Sequence, residues 1–155
     1  MKFSEIEEQA WEQLKPYVDT CLLPVTGLQG AELPWEATRA LEKLRDALDG
    51  LEIPYRGRVV TYPAMHYWMD ENGHAALNRL CERLKHAGYR YVVVVSVLRG
   101  IDKALLPSAD IVGVMDPDAD PGAVKEFHRG IHAQVEALWR SGEKEARGNE
   151  SGSRV

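Results

Sequence analysis

The chain has 155 residues, of which 45% are hydrophobic, and its formal net charge at pH 7 is −5. This length and apolar content predict a single domain with one sizeable core. The acidic balance, without a stripe of lysine and arginine, argues against a nucleic-acid-binding protein. We see no secretory signal and no apolar stretch of the roughly 20 residues that a membrane span requires, so we expect a cytoplasmic protein that does not insert into membranes.

Patterns typical of helices and strands alternate along the chain. Apolar residues at helical spacing predict helices over 4–15, 34–49, 72–86 and 120–140, with about two further helical turns over 100–106. Apolar and β-branched runs predict strands over 19–25, 57–62, 91–98 and 110–115. The last stretch, SGEKEARGNESGSRV, is charged, rich in glycine and serine and without apolar periodicity, and it predicts a disordered tail over 141–155.

The run YVVVVSVL at 91–98 indicates the fold class. It is apolar without alternation, which is typical of a strand buried on both faces of a sheet that carries helices on both sides. The helical segments between the strands supply the crossovers that parallel strands require. We therefore predict a three-layer α/β/α domain over 1–140 with a four-stranded, mainly parallel sheet in the order 2-1-3-4. Arginines and Pro63 beside the second strand place that strand at an edge.

Four polar residues follow or close the predicted strands: Thr26, His66, Ser96 and Arg99. In an open parallel sheet, ligands bind beyond the carboxyl ends of the strands, where the strand order reverses. These four residues therefore predict a site for a small anionic ligand, to which the Arg99 guanidinium would donate hydrogen bonds. In the alternative interpretation, Arg99 pairs with Asp102 or Asp116 and the loops are purely structural.

The aromatic segment 62–69 ends in three large side chains: Tyr67, Trp68 and Met69. Residues of these types are favoured at interface cores, so the segment predicts a homodimer contact or a surface for another protein partner. Alternatively, the three side chains bury against the sheet edge, or the segment is a ligand lid in which His66, Asp70 and His74 form hydrogen bonds. The spacing of those three residues fixes them on one surface only within a helix, and we predict no metal site.

Signatures of catalytic and cofactor sites are incomplete. TGLQG at 26–30 does not match the dinucleotide fingerprint, and no P-loop is present. DPDADPG at 116–122 lacks the glycine and glutamate of a calcium loop, and HRGIH at 128–132 lacks the glutamate of a zinc protease. Ser96 lies in no nucleophile elbow, and we expect Cys21 and Cys81 to be buried, reduced thiols. We assign no catalytic residue, metal or cofactor.

Two segments carry a family resemblance: YVDTCLLPVTGL at 17–28 and GRVVTYPAMHYW at 57–68. They resemble the YpiF-type family of short uncharacterised proteins from Bacillus-like Gram-positive bacteria, and the similarity spans most of the chain before the tail. The resemblance implies a bacterial, cytoplasmic protein of unknown function. It transfers no catalytic residue to this sequence.

Two functional hypotheses follow from these patterns. In the first, the protein is a non-catalytic binding or regulatory module with a small anionic ligand at the carboxyl rim of the sheet. In the second, it is a homodimerising or accessory protein that uses the segment 62–69 as an interface. An enzyme ranks third, because no acid, base or nucleophile has an identifiable companion.

Overall fold

A parallel β-sheet lies between two layers of helices in the computed structural model, which describes residues 1–69 and 72–152. The strands are β1 (Thr20–Leu28), β2 (Val59–Thr61), β3 (Met65–Tyr67), β4 (Tyr91–Ser96) and β5 (Ile111–Val114). The α-helices are α1 (Glu8–Leu14), α2 (Pro34–Glu52), α3 (Asn72–His86) and α4 (Pro121–Gly152), with 3-10 turns at Phe3–Glu5 and Lys103–Leu105. The predicted three-layer α/β/α class is confirmed.

The strand order is β2-β1-β4-β5, and every pair is parallel. This is the predicted order 2-1-3-4, with one strand added. The added strand, β3, follows β2 along the same edge and pairs with the second half of β1. β1 accommodates both because it continues to Leu28, three residues beyond the predicted end at residue 25.

Pro24 lies within β1 although proline lacks the N–H that a strand interior uses. The carbonyl of Leu22 accepts from Tyr62 N, and that of Leu28 accepts from Trp68 N, so even-numbered residues of β1 direct their backbone groups toward the β2–β3 edge. Pro24 shares this direction and faces the gap between β2 and β3. The missing donor therefore costs the sheet no hydrogen bond, which explains why the strand continues through Pro24.

Alternation along β1 divides the core into two layers. Leu22 packs in the layer covered by α2 and α4, and Leu23 packs in the layer covered by α3. β4 contributes to both layers, because Val92, Val93, Val94 and Val95 are each at most 1% exposed. This confirms that the apolar run is a strand buried on both faces, where each large apolar side chain contributes about 1.5–3 kcal/mol of burial energy.

Two histidines of α4 connect this helix to α2. His128 Nε2 bonds to the carbonyl oxygen of Asp46 at 2.7 Å, and His132 Nε2 bonds to the carbonyl oxygen of Gly50. The Gly50 carbonyl has no helical partner because residue 54 is proline, and His132 supplies the missing donor. The two histidines therefore join α2 to α4.

Two further segments differ from the predictions. The segment 100–106, predicted as two helical turns, contains only a 3-10 turn at Lys103–Leu105. The segment 141–155 was predicted as a disordered tail, whereas α4 continues to Gly152, and residues 153–155 lie outside the described part. Arg90 reaches this extension and donates to the carbonyl of Gly142 at 3.1 Å. Within the described residues, none of the helices has the length and apolar character to span a membrane.

Candidate functional site

Thr26 and His66 lie side by side on neighbouring strands, β1 and β3. Thr26 Oγ1 and His66 Nδ1 form a hydrogen bond of 2.7 Å, in which the imidazole tautomer decides which atom donates. The threonine is buried, at 4% exposure, whereas the imidazole is open to solvent. Thr26 therefore orients the ring of His66 from below, and His66 is the member of the pair that a ligand can reach.

Ser96 is buried and already hydrogen-bonded. Its hydroxyl donates to the carbonyl of Val25 at 2.7 Å and accepts from Leu98 N at 3.0 Å. Ser96 is in register with Val25, so its side chain lies on the opposite face of the sheet from Thr26. Beyond it, Leu98 packs so tightly on Gly27 that a Cβ there would lie 2.7 Å from Leu98 Cβ.

Arg99 forms an exposed ion-pair cluster with the loop after β5. Its Nη2 lies 2.8 Å from Asp116 Oδ1 and 2.9 Å from Asp118 Oδ2. Hydrogen bonds to these two carboxylates raise the pKa of Arg99. The pKa of Asp116 is lowered, first by the backbone N–H of Asp118 and then by Arg99. The ion pair between Arg99 and Asp116, one of the two pairs that the alternative interpretation predicted, is thus present. The N–H groups of Arg99 that face this loop already donate to the two carboxylates.

A cleft of about 310 Å³ opens beside His66, between α2 and the β2–β3 edge. We call it the α2–β3 cleft. Its apolar wall consists of Pro24, Leu41, Leu44, Leu48 and Pro63, among others. Its polar side chains include Lys2, Arg45, Glu52, Thr61 and His66. Of the four residues that the sequence assigned to a ligand site, His66 alone lines this cleft.

Two of the polar residues in the α2–β3 cleft have a buried oxygen without a hydrogen-bond partner in the described part of the chain. These atoms are Thr61 Oγ1 and Glu52 Oε1. Thr61 is 6% exposed, while Glu52 is half-buried at the end of α2. A buried polar group without a partner costs about 1–3 kcal/mol, so two in one cleft is an unusual arrangement.

The cationic residues of the α2–β3 cleft are also unpaired. Lys2 and Arg45 are exposed, and neither forms an ion pair with the residues in 1–69 or 72–152. The cleft therefore combines an apolar wall, two cations, a histidine and a carboxylate. No motif marks this set in the sequence, because its members come from the N-terminal segment, α2, β2 and β3.

The three residues assigned to an interface differ in exposure. Tyr67 and Met69 are 60% and 61% exposed. Trp68 is half-buried, and its ring packs edge-on to His74 at 4.9 Å. Asp70, the third residue of the proposed lid, lies outside the described residues. The exposed pair borders the outer edge of β3, with which no other strand in the described ranges pairs.

Both cysteines are free and buried in the layer below α3. Burial raises the pKa of the Cys21 thiol to about 12, with a further contribution from Cys81. Burial likewise raises the pKa of Cys81 to about 11. Thiols this basic stay protonated near neutral pH, so neither is prepared to act as a nucleophile.

Comparison with models of known protein families gives a match over part of the chain. A family model described as "Protein of unknown function (DUF2487)" matches residues 9–103. This range includes every residue of the α2–β3 cleft named above except Lys2, and it confirms the predicted resemblance to an uncharacterised family. No curated protein and no solved structure matches the chain.

Proposed function

We propose that this chain, which belongs to the DUF2487 family, is a non-catalytic module that binds a small molecule in the α2–β3 cleft. Ligand pockets are typically concave and mainly apolar, with a few polar groups that fix orientation. The α2–β3 cleft has this composition. Its volume of about 310 Å³ is at the lower end of the usual range, which favours a small ligand.

The observation that carries the proposal is the Thr61 hydroxyl. Thr61 lines the cleft, is 6% exposed, and has no hydrogen-bond partner for Oγ1 within the described residues. A valine at this position would fill the same space without an unsatisfied group. A ligand that bonds to this hydroxyl, with a small rotation of the side chain, supplies the missing partner.

This site replaces part of the rim that the sequence suggested. His66 stays in the proposal because it lines the cleft, and Thr26 stays as the residue that orients it. Ser96 and Arg99 leave it, because the hydroxyl of Ser96 and the guanidinium of Arg99 already bond to other groups of the protein.

A fragment screen by saturation-transfer NMR tests the proposal. The variant Leu41→Trp should fill the cleft without disturbing the core, because Leu41 lines the cleft and is 43% exposed. Leu105→Trp is the matched control, since Leu105 is 55% exposed and lies outside the cleft. We expect fragments that bind to the wild type and to Leu105→Trp but not to Leu41→Trp. Equal binding to all three proteins, or no binding, would overturn the proposal.

A second candidate function is self-association through the outer edge of β3. It is favoured by the exposure of Tyr67 and Met69 beside a strand edge that is free within the described chain. Sedimentation velocity on the wild type and on Tyr67→Ser/Met69→Ser tests it, with Ile53→Ser, at a site 72% exposed, as control. A dimer that only the double variant loses would support this function. A monomeric wild type at 100 micromolar would reject it.

A further inference from the structure

We infer that the ligand of the α2–β3 cleft is a small zwitterion with an apolar side chain, of the chemical class of the aliphatic α-amino acids. The inference rests on the proposed function and specifies its substrate class. It follows from the three kinds of surface that the cleft brings together, each of which requires a different part of the ligand.

The apolar wall requires an apolar group. Leu41, Leu44 and Leu48 recur along one face of α2, and Pro24 and Pro63 face them from the strand side. A branched aliphatic side chain can be buried against these surfaces, and each buried methylene group contributes favourably to binding. A ligand that is polar throughout would leave this wall in contact with water.

The floor of the cleft requires a hydrogen-bond donor, preferably a cation. Glu52 Oε1 and Thr61 Oγ1 are the two unpartnered buried oxygens. An ionised carboxylate only accepts hydrogen bonds, whereas an ammonium group donates three. An ammonium group on the ligand can therefore donate to these oxygens, once the side chains turn toward the cleft.

The rim of the cleft requires an acceptor, preferably an anion. Arg45 and Lys2 have no ion-pair partner among the described residues, and His66 has a second ring nitrogen beyond its bond to Thr26. The arginine guanidinium presents a fork of donors that matches a carboxylate. A carboxylate on the ligand can therefore bind at the rim while its ammonium group binds at the floor.

This combination distinguishes a zwitterion from simpler ligands. The small anion suggested by the sequence would leave Glu52 Oε1 without a hydrogen-bond donor and would add a second negative charge to the cleft. A simple amine would leave Arg45 and Lys2 unpaired. A ligand with both charges can place its ammonium group at Glu52 and its carboxylate at Arg45 and Lys2. Such a ligand explains why the cleft contains charges of both signs.

Isothermal titration calorimetry with three probes tests this inference on the full-length protein. The probes are L-leucine, 4-methylpentanoate, which lacks the ammonium group, and 3-methylbutylamine, which lacks the carboxylate. We expect L-leucine to bind at least tenfold more tightly than either analogue. Equal affinity for the three probes, or preference for one analogue, would overturn the assignment of a zwitterion.

Charge-removing variants then assign each end of the ligand. Glu52→Gln should weaken L-leucine at least tenfold and leave 4-methylpentanoate unchanged or bound more tightly. Arg45→Gln should weaken L-leucine and leave 3-methylbutylamine unchanged or bound more tightly. Glu42→Gln and Arg39→Gln are matched controls, because both residues lie exposed on α2 outside the cleft. If the controls weaken L-leucine as strongly as the cleft variants, the inference fails.

The two proposals fail in different ways. Fragments that bind the wild type but not Leu41→Trp, together with no preference for L-leucine, would reject the zwitterion and leave the binding site intact. If Leu41→Trp abolishes no binding of any ligand, both the binding site and the zwitterion are rejected. Circular dichroism of each variant verifies that a loss of binding is not a loss of fold.

Discussion

Replacing Gly50 by alanine should destabilise the protein, although alanine is the better helix former. Gly50 is buried in α2 at the contact with α4. The ring of His128 covers it, and a Cβ at Gly50 would lie 2.5 Å from His128 Cγ. The same ring bonds to the carbonyl of Asp46 at 2.7 Å, so its position is fixed from two sides. The added methyl group must therefore displace the imidazole.

The magnitude follows from two opposing effects. Alanine in place of glycine within a helix stabilises by about 0.8–1.0 kcal/mol. Overpacking a tight contact costs about 1–3 kcal/mol, and loss of the bond between His128 and Asp46 costs about 1 kcal/mol more. We therefore expect a net loss of about 1–3 kcal/mol for Gly50→Ala. The higher helix propensity of alanine alone would instead raise the free energy of unfolding.

Urea unfolding of a double-mutant cycle measures this balance. In a His128→Ala background the obstructing ring is absent, so Gly50→Ala should become neutral or stabilise by up to about 1 kcal/mol. Gly130→Ala is the control, because Gly130 is exposed in α4 with open space around it, and it should stabilise both backgrounds. If Gly50→Ala destabilises equally with and without His128, the contact is not the cause and the reasoning is refuted.

Four further predictions concern other buried groups. His132→Phe should cost about 1–3 kcal/mol, because it leaves the Gly50 carbonyl without a donor; an unchanged urea midpoint would contradict this. Cys21 and Cys81 should resist iodoacetamide at pH 8 until urea unfolds the chain, and rapid labelling of the folded protein would contradict their burial. Because the folded pKa of Cys21 lies near 12, above the ordinary 9.0, stability should fall as the pH rises above 9, and Cys21→Ala should reduce that slope. Thr61→Val should leave the ligand-free stability unchanged or raise it by up to about 1 kcal/mol, since it removes an unpartnered hydroxyl; a loss above that amount would contradict this.

The sheet could be predicted from sequence because burial on both faces leaves a clear pattern. The run at 91–98 has no polar alternation, which is typical of an interior parallel strand covered by two helical layers. The strand β3, at the edge of the sheet, was harder to predict from sequence. β3 has three residues, Met65–Tyr67, which follow Pro63 and are partly or fully exposed, so neither length nor alternation marked it as a strand.

The segment 141–152 differs from the prediction for a different reason. Its glycines and serines suggested disorder, whereas its Glu, Lys, Ala and Arg residues favour a helix. The start of the extension is also held by a contact distant in sequence, from Arg90 to the Gly142 carbonyl. The amino-acid composition of the segment does not reveal such a contact.

The candidate site could be predicted only in part. His66 was identified because polar residues after a parallel strand point toward the ligand-binding end of the sheet. Glu52 and Thr61 were missed because each is marked only by a buried oxygen without a hydrogen-bond partner. Such a feature can be seen only in the three-dimensional structure. Arg99 and Ser96 lie at the carboxyl end of a parallel strand, where ligands bind, but their side chains already bond to other groups of the protein.

Chemical-shift mapping on ¹⁵N-labelled full-length protein tests the central claim most directly. The titration uses L-leucine and the strongest fragment from the screen, and it reports where a ligand binds as well as whether it binds. We expect the largest shifts at the amides of Leu41, Arg45, Thr61 and His66, with the region around Arg99 unchanged. The absence of shifts, or shifts concentrated around Arg99, would contradict the α2–β3 cleft as the binding site.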